Sequence, residues 1–229
     1  MKISILDTET TGLNHQNDYM IEVAIVNFCT DEKQVVDAKS ILILPEDPVA
    51  VEATQKIHGI SSDLLINYGM SPIDAEGMIL DMTLNSDAII AHNAEFDRGW
   101  FQGQAIYESK WICSQDDIQW PKESNSKSLA AIALAHDVGI VSAHRALDDC
   151  LTLARLLRRV GEISDLNEIL KMAMRPKARF KAIGSFSEKD EFKKHGFRWD
   201  PDQKIWYKRI ALDDVDKLPF KTIQVLDIF

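Results

Sequence analysis

The sequence predicts an α/β fold, a mixed β-sheet with helices on its faces, followed by a small α+β module. Three strand-like segments come first and are joined by short connections, which favours an antiparallel meander. Strand-like and helix-like segments then alternate, which indicates further strands joined by helical crossovers. After residue 176 the segments become short and rich in aromatic residues. With 229 residues, of which 45% are hydrophobic, the chain can bury a full core and carry an appendage.

The first predicted domain, residues 1–174, shows apolar runs, β-branched runs and helix start signals. Its first strand begins at Ile3 and ends before the turn marked by Gly12. Ser71 is a predicted N-cap, and Pro72 suits the first helical position. The other strands are predicted over residues 19–28, 35–44, 87–92 and 111–113. Helices are predicted over about residues 49–57, 72–84, 93–107, 128–136, 146–160 and 164–174.

The second predicted unit, residues 177–229, is a small α+β module. Its strands are predicted over residues 179–183, 197–200, 204–210 and 222–228, with a helix over 187–194 and a hairpin turn at 201–203. Residues 171–209 carry 12 Lys and Arg against 5 Asp and Glu, whereas residues 1–170 carry 12 against 27. A basic segment after an acidic domain favours contact with a polyanion, and a solvated lysine-rich surface is the alternative.

The composition argues against a membrane-bound or secreted protein. No run of 18 apolar residues exists, and the N-terminus leads directly into a strand that carries an acid at position 7. The three cysteines, Cys29, Cys113 and Cys150, are odd in number and widely spaced, which favours reduced thiols in a cytosolic protein. We therefore expect a cytoplasmic protein that does not bind a membrane.

Two acids near the end of the first strand give the strongest chemical signal. Asp7 and Glu9 have period-two spacing, so their carboxylates project to the same side of the strand. Crowded carboxylates repel each other and lose hydration, which is costly without a cation between them. Their oxygens suit Mg²⁺ or Mn²⁺. Taken alone, the pair is more simply explained as two acids on a polar turn.

Three further residues lie where their side chains can reach such a site. Asp97 follows a buried strand, and Asp149 lies early in a helix whose other positions are largely apolar. An acid beside such an apolar face is either exposed or directed into a site. His144 precedes that helix, where a side chain can move toward a site and away from it. Asp148 is interpreted differently, as a helix-start acid that the helix macrodipole favours.

Three motifs in order give the sequence a resemblance to a known family. DTETTG at 7–12, AHNAEFDRGW at 91–100 and HRALDDC at 144–150 resemble the exonuclease motifs of the DEDD superfamily, histidine subclass. The resemblance extends to IHGI at 57–60, WIC at 111–113 and SKSLAAIAL at 126–134, and it covers about residues 1–165. It is strongest toward the bacterial exodeoxyribonuclease X group and includes the epsilon proofreading subunits of DNA polymerase III. It implies a ribonuclease H-like fold with a five-stranded mixed sheet, in agreement with the strand order above.

The resemblance also implies a two-metal-ion mechanism and assigns its residues. The implied metal ligands, all catalytic, are Asp7, Glu9, Asp97 and Asp149; they would hold two Mg²⁺ ions, for which Mn²⁺ can substitute. His144 would be the general base. The implied substrate-binding residues are Thr8, Thr10, Thr11, Gly12, Leu13, His58, Asn93 and Phe96. Asn93 and Phe96 are more simply explained as residues that order the loop and fill the core, and His58 with Gly59 is typical of a helix end.

The implied function is a metal-dependent 3′-5′ exodeoxyribonuclease. It would degrade DNA, single-stranded or at 3′ ends, to nucleoside 5′-monophosphates in bacterial DNA repair or processing. An RNA exonuclease would use the same catalytic residues and is the alternative, although DNA is the expected partner. An inactive module that binds nucleic acid or a polymerase is the alternative of another class, but none of the five catalytic residues is missing. A polymerase partner and a homodimer stay open at this point.

Five residues of the second unit are predicted to contact nucleic acid. Aromatic faces that stack on bases, beside cations that neutralise phosphates, hold single strands without sequence preference. The alternative is a small core, since a module of this size needs several aromatic residues simply to fold. The pattern GFRWD…KIWYK is similar to a small uncharacterised module appended to bacterial DNA-processing proteins. The five predicted contact residues are Lys194, Arg198, Trp199, Trp206 and Lys208.

Overall fold

The structure, a computed structural model, describes residues 1–140, 145–201 and 203–225. The chain divides into two compact units, Met1–Met174 and Arg175–Phe229. Each unit has a sheet and a hydrophobic core of its own. No helix in these described ranges is long and apolar enough to cross a membrane.

The first unit opens with the antiparallel meander that the sequence predicts. Its strands are β1 (Lys2–Thr10), β2 (Met20–Cys29) and β3 (Gln34–Leu42). Strand β1 pairs with β2 from Lys2 opposite Cys29 to Glu9 opposite Glu22, and the register shifts between Glu9 and Thr10. The β-branched residues Thr8 and Thr10 favour this extended conformation. As a result, both acids of the first motif lie within a paired strand.

The segment between β3 and the next strand is helical. A 3₁₀-helix spans Pro48–Ala53 and is followed by α1 (Gln55–His58), α2 (Ser62–Tyr68) and α3 (Pro72–Thr83). The prediction of one helix over residues 49–57 is wrong, because the chain changes helix type at Thr54. Helix α2 is not predicted at all, since seven residues with one buried side chain, Leu65, give little periodicity. Ser71 caps α3 as predicted by accepting a hydrogen bond from the Asp74 amide.

The remaining strands of the first unit alternate with helices. They are β4 (Ala88–Ala91), α4 (Ala94–Gly99), β5 (Trp111–Cys113), α5 (Leu129–Ala135), α6 (Ala146–Ile163) and α7 (Leu166–Ala173). The predicted helix over residues 93–107 is too long. It ends at Gly99, and Gly103 at φ +81° precedes a separate 3₁₀-helix over Ala105–Glu108.

The five strands form one mixed sheet in the order β3-β2-β1-β4-β5, which confirms the predicted fold class. Strands β1, β4 and β5 are parallel, and β1, β2 and β3 are antiparallel. One face of β1, with Ile3 and Ile5, packs in a core with α6 and α7. The other face, with Leu6, packs in a core with α3 and α4. Alternation along β1 therefore points neighbouring side chains at different helices.

The described part of the second unit is a four-stranded antiparallel sheet with a short α-helix and two 3₁₀-helices. Its strands are β6 (Lys177–Ala182), β7 (Arg198–Asp200), β8 (Ile205–Ala211) and β9 (Thr222–Val225). A 3₁₀-helix (Phe186–Glu188) and α8 (Lys189–Lys194) lie between β6 and β7, and another 3₁₀-helix (Leu212–Lys217) lies between β8 and β9. The strand order is β7-β8-β6-β9. Its core contains the buried side chains of Ala178, Phe180, Phe192, Phe197 and Ile210.

Candidate active site

Three carboxylates meet where β1 runs beside α6. Asp7 and Glu9 lie on the same face of β1 as Ile5, which packs toward α6. Asp149 lies in the first turn of α6. One carboxylate oxygen from each of the three residues can be chosen so that all three lie within 4.8 Å of one another. Such a group of half-buried oxygens is able to hold a divalent cation.

A fourth carboxylate approaches from the opposite face of the sheet. Asp97 belongs to α4, which begins directly after Asn93 adopts a left-handed conformation at φ 76°. The hydroxyl of Thr8, which points to that face of β1, donates to Asp97 Oδ1 at 2.9 Å. The Asp97 side chain is 2% exposed. The alternation of β1 thus brings acids from α6 and from α4 to the end of one strand.

The electrostatics of the group favour a cation. Burial and the charges of Asp97, Asp149 and Glu9 raise the pKa of Asp7 well above its ordinary value. Burial, with the charges of Glu22 and Asp149, raises the pKa of Glu9 to about 7. Burial also raises the pKa of Asp97, although the Thr8 hydrogen bond acts in the opposite direction. Asp7, Glu9 and Asp97 therefore resist ionisation without a compensating positive charge, and oxygen-only ligands fit Mg²⁺ or Mn²⁺.

A buried ion pair beside this group is not predicted from the sequence. Glu22 is 0% exposed and lies directly opposite Glu9 in the β1–β2 register. Arg145 donates two hydrogen bonds to its carboxylate, from Nη2 to Oε1 at 2.8 Å and from Nε to Oε2 at 3.1 Å. The Ser40 hydroxyl and the Ala146 amide also donate to it, at 2.6 and 3.3 Å. Burial alone would raise the pKa of Glu22, but these bonds outweigh it and lower the pKa. They also attach the start of α6, and with it Asp149, to β2.

Arg145→Ala should therefore lower the free energy of unfolding by about 3 kcal/mol. Removing one partner leaves a buried, unpaired carboxylate, and the cost lies at the low end for buried pairs because Arg145 is half-exposed. Urea unfolding at pH 7 measures the loss. Arg158→Ala is the matched control on the same helix, since its pair with Glu162 at 3.7 Å is exposed and should cost less than about 1 kcal/mol. Equal effects of the two substitutions would contradict a structural role for the Glu22–Arg145 pair.

The loop after β1 is held by its own threonines and by Thr54. Thr10 Oγ1 donates to the Gly12 carbonyl at 2.6 Å, and Thr11 Oγ1 accepts from the Tyr19 amide at 2.9 Å. Thr54 Oγ1 donates to the Thr10 carbonyl at 3.0 Å. Leu13, at the tip of the loop, is 82% exposed. An exposed leucine beside a rigid backbone is able to pack on a ligand.

His58 is tied to this loop through Thr54. Its Nδ1 accepts from the Ile60 amide at 3.0 Å, so Nε2 carries the proton and lies 2.9 Å from Thr54 Oγ1. Burial lowers the pKa of His58. The ring is buried at the end of α1, and Gly59 follows at φ +73°. His58 can therefore affect a bound substrate only by positioning the loop after β1.

Two other predicted substrate-binding residues lie around α4. Phe96 is half-buried and packs against the rings of His15 and Trp100, with centroid distances of 5.5 and 5.9 Å. Asn93 is exposed, and its side chain makes no capping hydrogen bond. His144, the predicted base, lies outside the residues that the structure describes.

The five predicted contact residues of the second unit lie in different surroundings. Trp199 is 44% exposed, whereas Trp206 packs against the core. Lys208 Nζ donates to the His195 carbonyl at 2.8 Å. Lys194 Nζ lies 3.9 Å from Glu191 Oε2 on the same helix, α8, and Arg198 is exposed on β7. The structure thus does not gather the five onto one surface.

Each of the two units matches a known protein family or domain. The profile of the RNase T family, described as an exonuclease, matches residues 4–157. A domain of unknown function matches residues 178–225. The DNA polymerase III epsilon subunit of Treponema pallidum is 29% identical over 154 residues, which are 62% of this chain and 68% of that protein. The PolC-type DNA polymerase III of Thermotoga petrophila is 27% identical over 184 residues, which are 74% of this chain and only 12% of the polymerase.

Solved structures share the fold. Exonuclease X in complex with 5′-overhanging duplex DNA has a TM-score of 0.56 at 24% identity, covering 75% of this chain and 99% of that one. Exonuclease I has a TM-score of 0.61 at 14% identity, covering 96% of this chain and 68% of that one. The exonuclease profile spans more than half of the chain and includes the strand and helices that bring the four carboxylates together. The chain therefore belongs to the RNase T family of exonucleases, within the DEDD superfamily of 3′-5′ exonucleases.

Proposed function

We propose that this protein is a metal-dependent exodeoxyribonuclease that hydrolyses DNA from its 3′ end and releases nucleoside 5′-monophosphates. The observation that carries the proposal is the group of Asp7, Glu9 and Asp149, with carboxylate oxygens within 4.8 Å of one another. Asp97 adds a fourth acid whose charge acts on Asp7. Phosphodiester hydrolysis requires a nucleophile at neutral pH and compensation for the charge that develops on the phosphoryl oxygens.

The four carboxylates would hold the metal, Mg²⁺ or in its place Mn²⁺. Divalent ions bound there supply a water of lowered pKa and positive charge for the transition state. The chain's own part is to fix the ligands. Asp7 and Glu9 are fixed by strand pairing, Asp97 by Thr8, and Asp149 by a helix whose start is attached to Glu22.

His144 is the proposed general base. An imidazole with a pKa of about 6.5 can take a proton from water near neutral pH. Its neighbour in sequence, Arg145, is held on the buried Glu22 beside Glu9. The exposed Leu13 is proposed to pack on the terminal base, and the backbone of residues 8–11 is proposed to hydrogen-bond the 3′-hydroxyl.

DNA is the proposed substrate, with a role in bacterial DNA repair or processing in the cytoplasm. The similar proteins support DNA, since they are parts of DNA polymerases and an exonuclease in complex with duplex DNA. An exoribonuclease would use the same carboxylates, so the two activities are distinguished by whether DNA or RNA is degraded faster.

End-labelled oligonucleotides test this proposal. With Mg²⁺, single-stranded DNA labelled at the 3′ end should lose its label at once as a mononucleotide, whereas DNA labelled at the 5′ end should shorten stepwise. EDTA should stop both reactions. RNA of the same sequence should be degraded more slowly, and faster degradation of RNA would show an exoribonuclease. Internal cuts, or no cleavage with either metal, would contradict the proposed activity.

A further inference from the structure

A groove of about 330 Å³ lies in the second unit, between the β7–β8 edge and the segment that leads into α8. Its lining includes Phe186, Trp199, Trp206, Lys181 and Lys204. We propose that this groove is a binding site for single-stranded DNA, in which bases stack on Phe186 and Trp199 and the surrounding lysines neutralise phosphates. The proposed hydrolysis is a property of the first unit, and this binding does not depend on it.

The first argument is that two aromatic residues of the groove lie outside the core of the unit. Phe186 is 73% exposed and Trp199 is 44% exposed, while the core of the unit is closed by other side chains. Phe220, for example, packs edge-on against Phe192 with a centroid distance of 4.9 Å. The Trp206 ring packs against the Trp199 ring with a centroid distance of 5.5 Å. Exposed rings that are held in position serve as stacking platforms for bases.

The second argument is the position of the cations. Lys189 Nζ lies 4.6 Å from the Phe186 ring centroid, and Lys193 Nζ lies 5.7 Å from that of Trp206. Lys181 and Lys204 line the groove itself and form no ion pair with any carboxylate among the described residues. One ammonium group therefore lies near Phe186, one lies near Trp206, and two line the groove. This interleaving of cations and aromatic faces suits a polyanion that carries flat bases.

The third argument is the contrast of charge between the units. Residues 175–229 carry 13 Lys and Arg against 9 Asp and Glu, whereas residues 1–174 carry 13 against 27. An acidic catalytic unit repels a nucleic acid at long range, and a basic unit on the same chain offsets this repulsion. Stacking requires unpaired bases, so the groove fits a single strand rather than a duplex. An acidic peptide would use the lysines but not the exposed ring faces.

The groove also revises the contact residues predicted from the sequence. Trp199 and Trp206 line it, but Lys208 bonds the His195 carbonyl. Lys194 and Arg198 lie outside its lining. Phe186, Lys181 and Lys204 replace them as the expected contacts. Phe186 could not be identified from the sequence, because only the structure shows that the 3₁₀-helix places its ring outside the core.

Fluorescence anisotropy with a labelled single-stranded 20-mer tests the proposal. The full chain is titrated in EDTA, where no hydrolysis occurs and the metal-free carboxylates repel DNA, so failure of the nuclease proposal cannot affect the result. Phe186→Ala and Trp199→Ala should each weaken binding by about tenfold. The double variant Lys181→Gln/Lys204→Gln should reduce the slope of log K against log salt by about 1.4. The binding-dependent quenching of tryptophan fluorescence should also decrease in Trp199→Ala.

Matched controls separate the groove from a general loss of charge or apolar surface. Tyr68→Ala removes an exposed ring from the first unit, and Lys221→Gln removes an exposed cation from the second unit outside the groove. Neither should change affinity more than about twofold. Unchanged binding in both aromatic variants would overturn the proposal. Equal affinity for a duplex of the same length would overturn it as well, since stacking on a ring requires an unpaired base.

Discussion

Asp7→Asn should reduce hydrolysis of single-stranded DNA by about 10²–10³. Losing one fixed group that stabilises transition-state charge lowers the rate by about 10²–10³. The charges of Asp97, Asp149 and Glu9 all act on Asp7, so its loss should affect the whole carboxylate group. The amide keeps the shape of the side chain and removes only the charge. Single-turnover kinetics with saturating Mg²⁺ measure the loss, and Asp148→Asn, the neighbour of Asp149 outside the carboxylate group, is the control.

The same substitution should stabilise the metal-free protein. The folded-state pKa of Asp7 is raised, so between the ordinary value of 3.8 and that higher value the folded protein holds a proton that the unfolded chain has lost. Stability therefore falls as the pH rises through this window, and the penalty is complete above it. Asn removes the penalty, so the melting temperature of Asp7→Asn in EDTA should exceed that of the wild type by more at pH 8 than at pH 5. A lower melting temperature at both pH values would contradict the repulsion between the acids.

His144→Ala should slow hydrolysis by about 10²–10⁴, the usual contribution of a general base. The effect is separable from binding, because the imidazole is assigned to the proton of the attacking water and not to the DNA. Affinity for DNA in the presence of Ca²⁺ should change little. Wild-type kcat should rise with pH and level off above about pH 6.5, where the imidazole is neutral, whereas the variant should lack that inflection. Near-normal turnover of the variant at about pH 8 would remove His144 from the mechanism.

The fold could be predicted from the sequence because its strands carry strong local signals. The alternating and apolar runs of β1, β2 and β4 fix the sheet, and Ser71 marks the start of α3. The helix over residues 49–57 could not be predicted correctly, since Thr54 breaks it without a proline or glycine. Local propensity does not distinguish a 3₁₀-helix followed by one α-turn from a continuous helix.

The candidate site was predictable only in part. The spacing of Asp7 and Glu9 indicates a shared face from the residues alone, whereas the place of Asp149 beside them required the family resemblance or the structure. The Glu22–Arg145 pair joins residues 123 positions apart, and nothing local in either segment indicates the other. One signal was available, since Glu22 is an acid inside an otherwise apolar strand, and a buried acid requires a partner.

Measuring the melting temperature at increasing Mg²⁺ concentration tests the carboxylate site most directly. An ion at about 100 times its Kd adds about 2.7 kcal/mol of stability, which raises the melting temperature of a chain of this size by about 5–10 °C. The wild type and Asp148→Asn should show this rise, and Asp149→Asn, which removes one of the three clustered oxygen ligands, should not. A rise of the same size in Asp149→Asn, or none in the wild type, would contradict a divalent-ion site built from Asp7, Glu9, Asp97 and Asp149.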